Sequence, residues 1–228
     1  TGKACKPKVN VNFGSAKLIE NVDYTISYKN NVNVPDSRDN YSSAILKGKG
    51  NYSFTYTYRF PITKLDLSGN LDEQSIVIDN IVTKYTGKQV KVTPQVYSNG
   101  ILIPAKDLEV LYPDTKDGAY KDPGTYTVTI KGRGTNVTGQ RNITLKICKS
   151  ISKVKVTTDQ KSYPYNEVTG VVYPNKVTVT DGKTVLKEGV DYTLSYSNHK
   201  QAGTATIGVT GKGVYEGTKK ATYKITGK

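Results

Sequence analysis

The chain has 228 residues, with 18 Tyr against 3 Phe, one His and neither Trp nor Met, and its 33 basic and 19 acidic side chains leave a formal charge of +14. Val, Ile, Thr and Tyr are abundant, Gly and Pro recur at short intervals, and no window sustains an apolar 3.6-residue period, which excludes a helical bundle and leaves β structure. The longest apolar runs fall far short of the ~20 residues of a membrane-spanning helix, so no membrane span is expected.

The chain opens Thr1-Gly2-Lys3, without Met and without a signal-type apolar stretch, and so reads as a mature or excised piece of something longer. The first recognisable strand is Tyr24-Thr25-Ile26-Ser27-Tyr28, introduced by Asn21-Val22-Asp23. An Asp at a strand start suits a turn capped by its own side chain. Tyr-x-x-x-Tyr places two aromatic bodies on one strand face. Leu46-Lys47-Gly48-Lys49-Gly50-Asn51-Tyr52 then reads as strand, Gly-x-Gly turn and return, and Tyr56-Thr57-Tyr58-Arg59-Phe60-Pro61-Ile62 alternates as a strand.

The same blocks recur. The second copy has Asp107-Leu108 followed by Ile130-Lys131-Gly132-Arg133-Gly134, and ends on Arg141-Asn142-Ile143-Thr144-Leu145. The third has Asp191-Tyr192-Thr193-Leu194-Ser195-Tyr196, at an ungapped offset of 168 from the first, then Gly211-Lys212-Gly213 and Lys219-Lys220-Ala221-Thr222-Tyr223. Period-2 alternation assigns Tyr58, Ile143 and Ala221, with Phe60, Leu145 and Tyr223, to the buried face. The repeat divides the chain at 1–64, 65–148 and 149–228. The second and third copies also carry a leading segment, Ser75-Ile76-Val77-Ile78-Asp79 and Val154-Lys155-Val156-Thr157. The first copy shows none, so two strands of about 5–6 residues each with their turns are expected to be missing. The expectation is a chain cut inside a domain, or strands donated by a neighbouring molecule.

Four signature blocks carry a resemblance: Tyr85-Thr86-Gly87-Lys88; Asp23 to Asn31 with its copy Asp191 to Asn198; Ala202 to Thr206; and Gly48 to Tyr52 with its copy Gly211 to Thr218. The chain resembles the tandem bacterial immunoglobulin-like repeats of Gram-positive cell-surface proteins. The resemblance implies an all-β fold of tandem Ig-like β-sandwich repeats in an elongated array, extracellular and either secreted or wall-attached. It implies little about the ligand, because such repeats serve as spacers, adhesin modules and enzyme appendages, and some similar proteins bind immunoglobulin.

Sites for chemistry are scarce. His199 falls in a turn with no nucleophile or orienting partner nominated beside it. Cys5 and Cys148 stand in different repeats, 143 residues apart, and read as isolated thiols. Asp114, Asp117 and Asp122 form a weak Ca²⁺ candidate without a full EF-hand pattern. No catalytic residue and no cofactor is expected, so the chain reads as a non-enzyme. Its charge excess is almost all Lys, with only Arg38, Arg59, Arg133 and Arg141 as Arg, which argues against a nucleic-acid partner. Anionic cell-wall polymer is the partner such a surface would attract.

Binding candidates come from comparing the copies. Tyr41 lies opposite Thr125 and Thr204, Phe54 opposite Gly139 and Gly217, and Tyr56 opposite Arg141 and Lys219, whose side chains are expected to face solvent. An exposed Tyr/Phe cluster suits recognition of a host protein, immunoglobulin among the candidates, or of a glycan. The alternatives are a passive stalk, accessory repeats of a carbohydrate-active enzyme, and aromatics that substitute for core.

Overall fold

The computed structural model describes residues 2–37, 39–69 and 76–227. Ser75, expected to begin the leading strand of the second repeat, lies outside the described residues. The fold is all-β: among the described residues the only helical segments are 3₁₀ turns at Ala105–Asp107 and Ile151–Lys153. None is long and apolar enough to cross a membrane. The first strands are β1 (Asn12–Phe13), β2 (Ala16–Lys17), β3 (Tyr24–Lys29), β4 (Ser42–Gly48), β5 (Thr55–Phe60) and β6 (Leu65–Asp66). The next are β7 (Ile76–Ile78), β8 (Ile81–Lys84), β9 (Val96–Ser98), β10 (Ile101–Leu102), β11 (Leu108–Leu111), β12 (Gly124–Gly132), β13 (Val137–Thr138) and β14 (Gln140–Ser150). The last are β15 (Lys155–Thr158), β16 (Ser162–Pro164), β17 (Val177–Asp181), β18 (Thr184–Val185), β19 (Tyr192–Ser197), β20 (Gly203–Gly211), β21 (Tyr215–Glu216) and β22 (Thr218–Thr226).

The chain forms two compact units, one of residues 1–79, 92–113 and 128–143, the other of residues 80–91, 114–127 and 144–228. Both draw on the 65–148 segment. The third repeat lies wholly in the second unit and shows the sandwich most fully. One sheet runs β16-β22-β20-β19 and the other β15-β17-β18. Between them pack Ile151, Val154, Val179, Leu186, Ile207, Val209 and Tyr223, all at most 5% exposed. Two sheets meeting over one apolar layer is how amphipathic strands bury their inner faces.

The first repeat, in the other unit, repeats half of this. β3-β4-β5 is antiparallel, with Ile26 opposite Leu46 and Leu46 opposite Tyr56. β1 and β2 form the counterpart of β17 and β18. Here the core cluster of buried residues is Leu18, Tyr24 and Leu46.

The turn chemistry read from sequence holds in detail. The Asp23 carboxylate accepts from Ile19 N–H at 2.8 Å, and Asp191 accepts from Lys187 N–H at 2.8 Å. In each Gly-x-Gly block the two glycines act differently. Gly50, Gly134 and Gly213 adopt φ of 64–82°, where a side chain is strained. At Gly48, Gly132 and Gly211 a Cβ would lie 2.5–2.8 Å from the returning backbone.

Candidate functional site

The connections into the second and third repeats frame the site. β6 pairs parallel with β13, and Leu65 N–H donates to Asn136 O at 2.9 Å. The end of β14 pairs parallel with β21 in the same register, and Lys149 N–H donates to Val214 O at 2.8 Å. Two residues on, Leu67 and Ile151 are each 0% exposed. A basic side chain then grips the entering segment. Arg141 donates to Leu67 O at 2.9 Å and to Gly69 O at 2.7 Å, while Lys219 donates to Ser152 O at 3.0 Å. In the third repeat Asp181 completes the seat, paired with Lys149 at 2.5 Å and accepting from the Tyr215 hydroxyl at 3.0 Å. The Lys149 ammonium, then Tyr215, hold the Asp181 carboxyl below its ordinary range against the effect of burial. Burial, then the bond to Asp181, pushes the Tyr215 phenol up to about 12.

Tyr52–Ser53 is the counterpart of β21 in the first repeat, but no segment among the described residues lies along it. In its place is an open groove of about 900 Å³, lined by Val9 to Phe13, Leu46, Tyr52, Phe54, Tyr56 and Tyr58 among others. Three of these replace seat residues of the sister repeats. Phe13 stands for Asp181 and packs edge-on against Tyr52 at 5.9 Å. Phe54 stands for Gly217: Gly48 N–H donates to Phe54 O as Gly211 N–H donates to Gly217 O. Tyr56 stands for Lys219, opposite Leu46 as Lys219 is opposite Val209. The polar entry is thus aromatic here. Phe13 is 70% exposed, Tyr56 62% and Tyr58 45%.

Several expectations are corrected. Tyr58 is not buried, because among the described residues no strand of an opposing sheet covers it. Arg141 and Lys219 are only half-exposed, and each bonds a backbone carbonyl of the segment entering its repeat. Phe54 and Tyr56 meet at the groove, but Tyr41 does not line it. Ser42 is opposite Phe60 and Ser43 opposite Arg59, so Arg59 projects from the face away from Phe60, and its guanidinium stacks on the Tyr41 ring at 3.5 Å. The 168-residue offset sets Cys5 against Tyr173, but the pairing shifts by one residue and Cys5 matches Val172: Cys5 N–H donates to Asn31 O as Val172 N–H donates to His199 O. Phe13 was missed, although the 168-residue offset already places it opposite Asp181.

The remaining candidates lie elsewhere. Cys5 and Cys148 are free thiols. Asp114, Asp117 and Asp122 are exposed, and among the described residues no three acidic, His or Cys side chains gather to hold a metal ion. His199 stacks on Tyr173 at 4.9 Å, with Nε2 3.3 Å from the Tyr173 hydroxyl.

No family model matches the chain, and no curated protein sequence matches it. Solved structures similar to it include a three-Ig-domain fragment of titin in an E-to-A mutated variant, at 12% identity and TM-score 0.24, covering 97% of this chain and 88% of that one. Cadherin domains 3–6 of protocadherin gamma B2 match at 11% identity and TM-score 0.23, covering 97% and 69%. Likenesses this weak say nothing about ligand or partner, and the all-β architecture rests on the strands themselves.

Proposed function

We propose that the chain is a non-catalytic binding region of a bacterial secreted or cell-wall-attached protein, and that it captures a protein partner through the groove of its first repeat. One observation carries this reading. Phe13, Phe54 and Tyr56 replace a carboxylate, a glycine and a lysine around a single seat, and two of the three remain well exposed. Exposed aromatics beside an apolar groove supply contact area at little entropic cost. The groove's exposed lining is predominantly apolar, which favours a polypeptide over a glycan. The array is read as three repeats divided at 64/65 and 148/149.

The test is capture from serum, with purified immunoglobulin and a glycan array as separate arms. A Phe13→Ser/Tyr56→Ala variant should lose protein capture at least ten-fold with its melting temperature unchanged. Tyr41→Ala, away from the groove, should bind normally. Capture that survives the double variant would refute the assignment, and no capture by the parent chain would favour a passive stalk.

A further inference from the structure

We infer that the groove of the first repeat is a strand-receiving seat. It takes an extended polypeptide segment laid parallel to Tyr52–Ser53, with one apolar side chain in the position that Leu67 and Ile151 fill in the other repeats. This rests on the groove being a binding surface and specifies the form of what binds.

The chain itself shows the occupied state twice. In both sister repeats an entering segment runs parallel to the counterpart of Tyr52–Ser53, in identical register, and drops one fully buried aliphatic residue into the core. In the third repeat the segment continues through Val154, 3% exposed, and Val156, which packs on the same core. As β15 it pairs antiparallel with β17, Lys155 opposite Thr180 and Thr158 opposite Val177. The first repeat presents the same two acceptors. Tyr52–Ser53 awaits a parallel neighbour, and the Val9–Phe13 stretch matches β17. Among the described residues β1 pairs with β2 alone, leaving its other edge without a strand. Unpaired strand edges flanking an apolar trough form the geometry of β-strand addition, where main-chain bonds give affinity and alternate side chains give specificity.

The substitutions around the seat define the occupant. Lys149 enters beside Asp181, whereas Leu65 enters the second repeat, whose counterpart of Asp181 is Ser98. With Phe13 in that position, the first repeat calls for an apolar residue two places before the inserted one. Phe54 fixes the path. A side chain at Gly139 would collide with Asp66 and Ser68, whereas one at Gly217 meets nothing within 4 Å. A strand compatible with Phe54 therefore follows the route of residues 149–158 and not that of residues 65–68. The occupant is an extended segment of the pattern apolar-x-apolar-x-x-apolar-x-apolar.

The probe is a synthetic peptide of residues 149–158 carrying Lys149→Leu, labelled for fluorescence anisotropy and titrated with the 228-residue chain. It should bind at least ten-fold more tightly than the unaltered 149–158 peptide, and Ile151→Asp within it should abolish binding. Phe13→Asp in the chain should reverse the preference in favour of the Lys149 peptide. An unchanged preference in that variant, or equal binding of the Ile151→Asp peptide, overturns the seat. If the chain captures a serum protein through the groove while every peptide fails, the strand seat falls and the binding function stands. If the peptides bind as stated and nothing is captured from serum, the seat stands and the capture reading falls.

Discussion

Truncating Ile151 to Ala measures what a filled seat contributes. The side chain is 0% exposed and packs in a cluster with Val154, Val179, Val209 and Tyr223. The substitution removes three carbons, worth about 0.8 kcal/mol each in transfer from water. A closed sandwich relaxes only partly around the gap, and the cavity term raises the expected loss to about 3–4 kcal/mol. The backbone has little reason to move, since Ser150 Oγ accepts from Ser152 N–H and caps the turn at Ile151–Lys153. Urea unfolding followed by circular dichroism should show the midpoint of the second compact unit falling by about 1.5–2 M at a slope near 2 kcal/mol per M. Hydrogen exchange should quicken in β20 and β22. Tyr56→Ala, at the corresponding seat of the first repeat, should stay within about 0.5 kcal/mol of the parent chain because its ring is largely exposed. A loss below about 1 kcal/mol for Ile151→Ala would refute the claim that the entering segment plugs the core, and with it the model for the open groove.

Two further outcomes follow from local geometry and titration. Gly211→Ala would place a Cβ 2.8 Å from the Tyr215 carbonyl carbon, so the strand return must shift at a cost of about 1–3 kcal/mol; Gly182→Ala, at φ 59° in open space, should cost only about 1–2 kcal/mol, and comparing their unfolding midpoints separates collision from dihedral strain. Burial, joined at Tyr215 by the bond to Asp181, pushes the phenols of Tyr215 and Tyr223 up to about 12, so the folded state favours their neutral forms. Their contribution is complete below pH 10 and is lost as pH rises through 12; denaturant midpoints measured from pH 9 to 12 should fall across that window, and less steeply in Tyr215→Phe.

The fold was legible because local chemistry and alternation agree. Asp23, Asp191 and the Gly-x-Gly blocks mark strand ends by requirements internal to a few residues. Alternation also gave the inner faces of β14 and β22 correctly, with Ile143, Leu145 and Tyr223 buried. It failed at Tyr58, because period 2 tells which face a residue shares and not whether anything lies over that face. The seat was not legible, since it depends on parallel pairing between Leu65 and Val137, 72 residues apart, which alternation does not specify. Phe13 could have been found: the offset that aligned the Tyr strands already set it against Asp181. Comparison of the copies groups Tyr41 with Phe54 and Tyr56, although Arg59, which stacks on it, alternates with Tyr58 and Phe60 along β5 and so projects from the opposite face.

Aromatic residues in the first repeat could serve as substitute core or as a recognition surface, and burial separates the two. Phe54 packs on Leu18, Tyr24 and Leu46 and is only partly exposed, so it strengthens a thin core. Phe13, Tyr56 and Tyr58 remain 45–70% exposed around the groove and do not. An aromatic side chain buries about 150–250 Å² when covered. At ~25 cal/mol per Å², closing the groove over even half of that area on three rings gains about 6–9 kcal/mol before ordering costs. Association and side-chain ordering consume much of such a gain, leaving a moderate affinity that strand pairing would supplement. An uncovered apolar trough at a sheet edge invites aggregation. With rings in place of the charges at its entry, the trough suits an occupant that is extended and apolar.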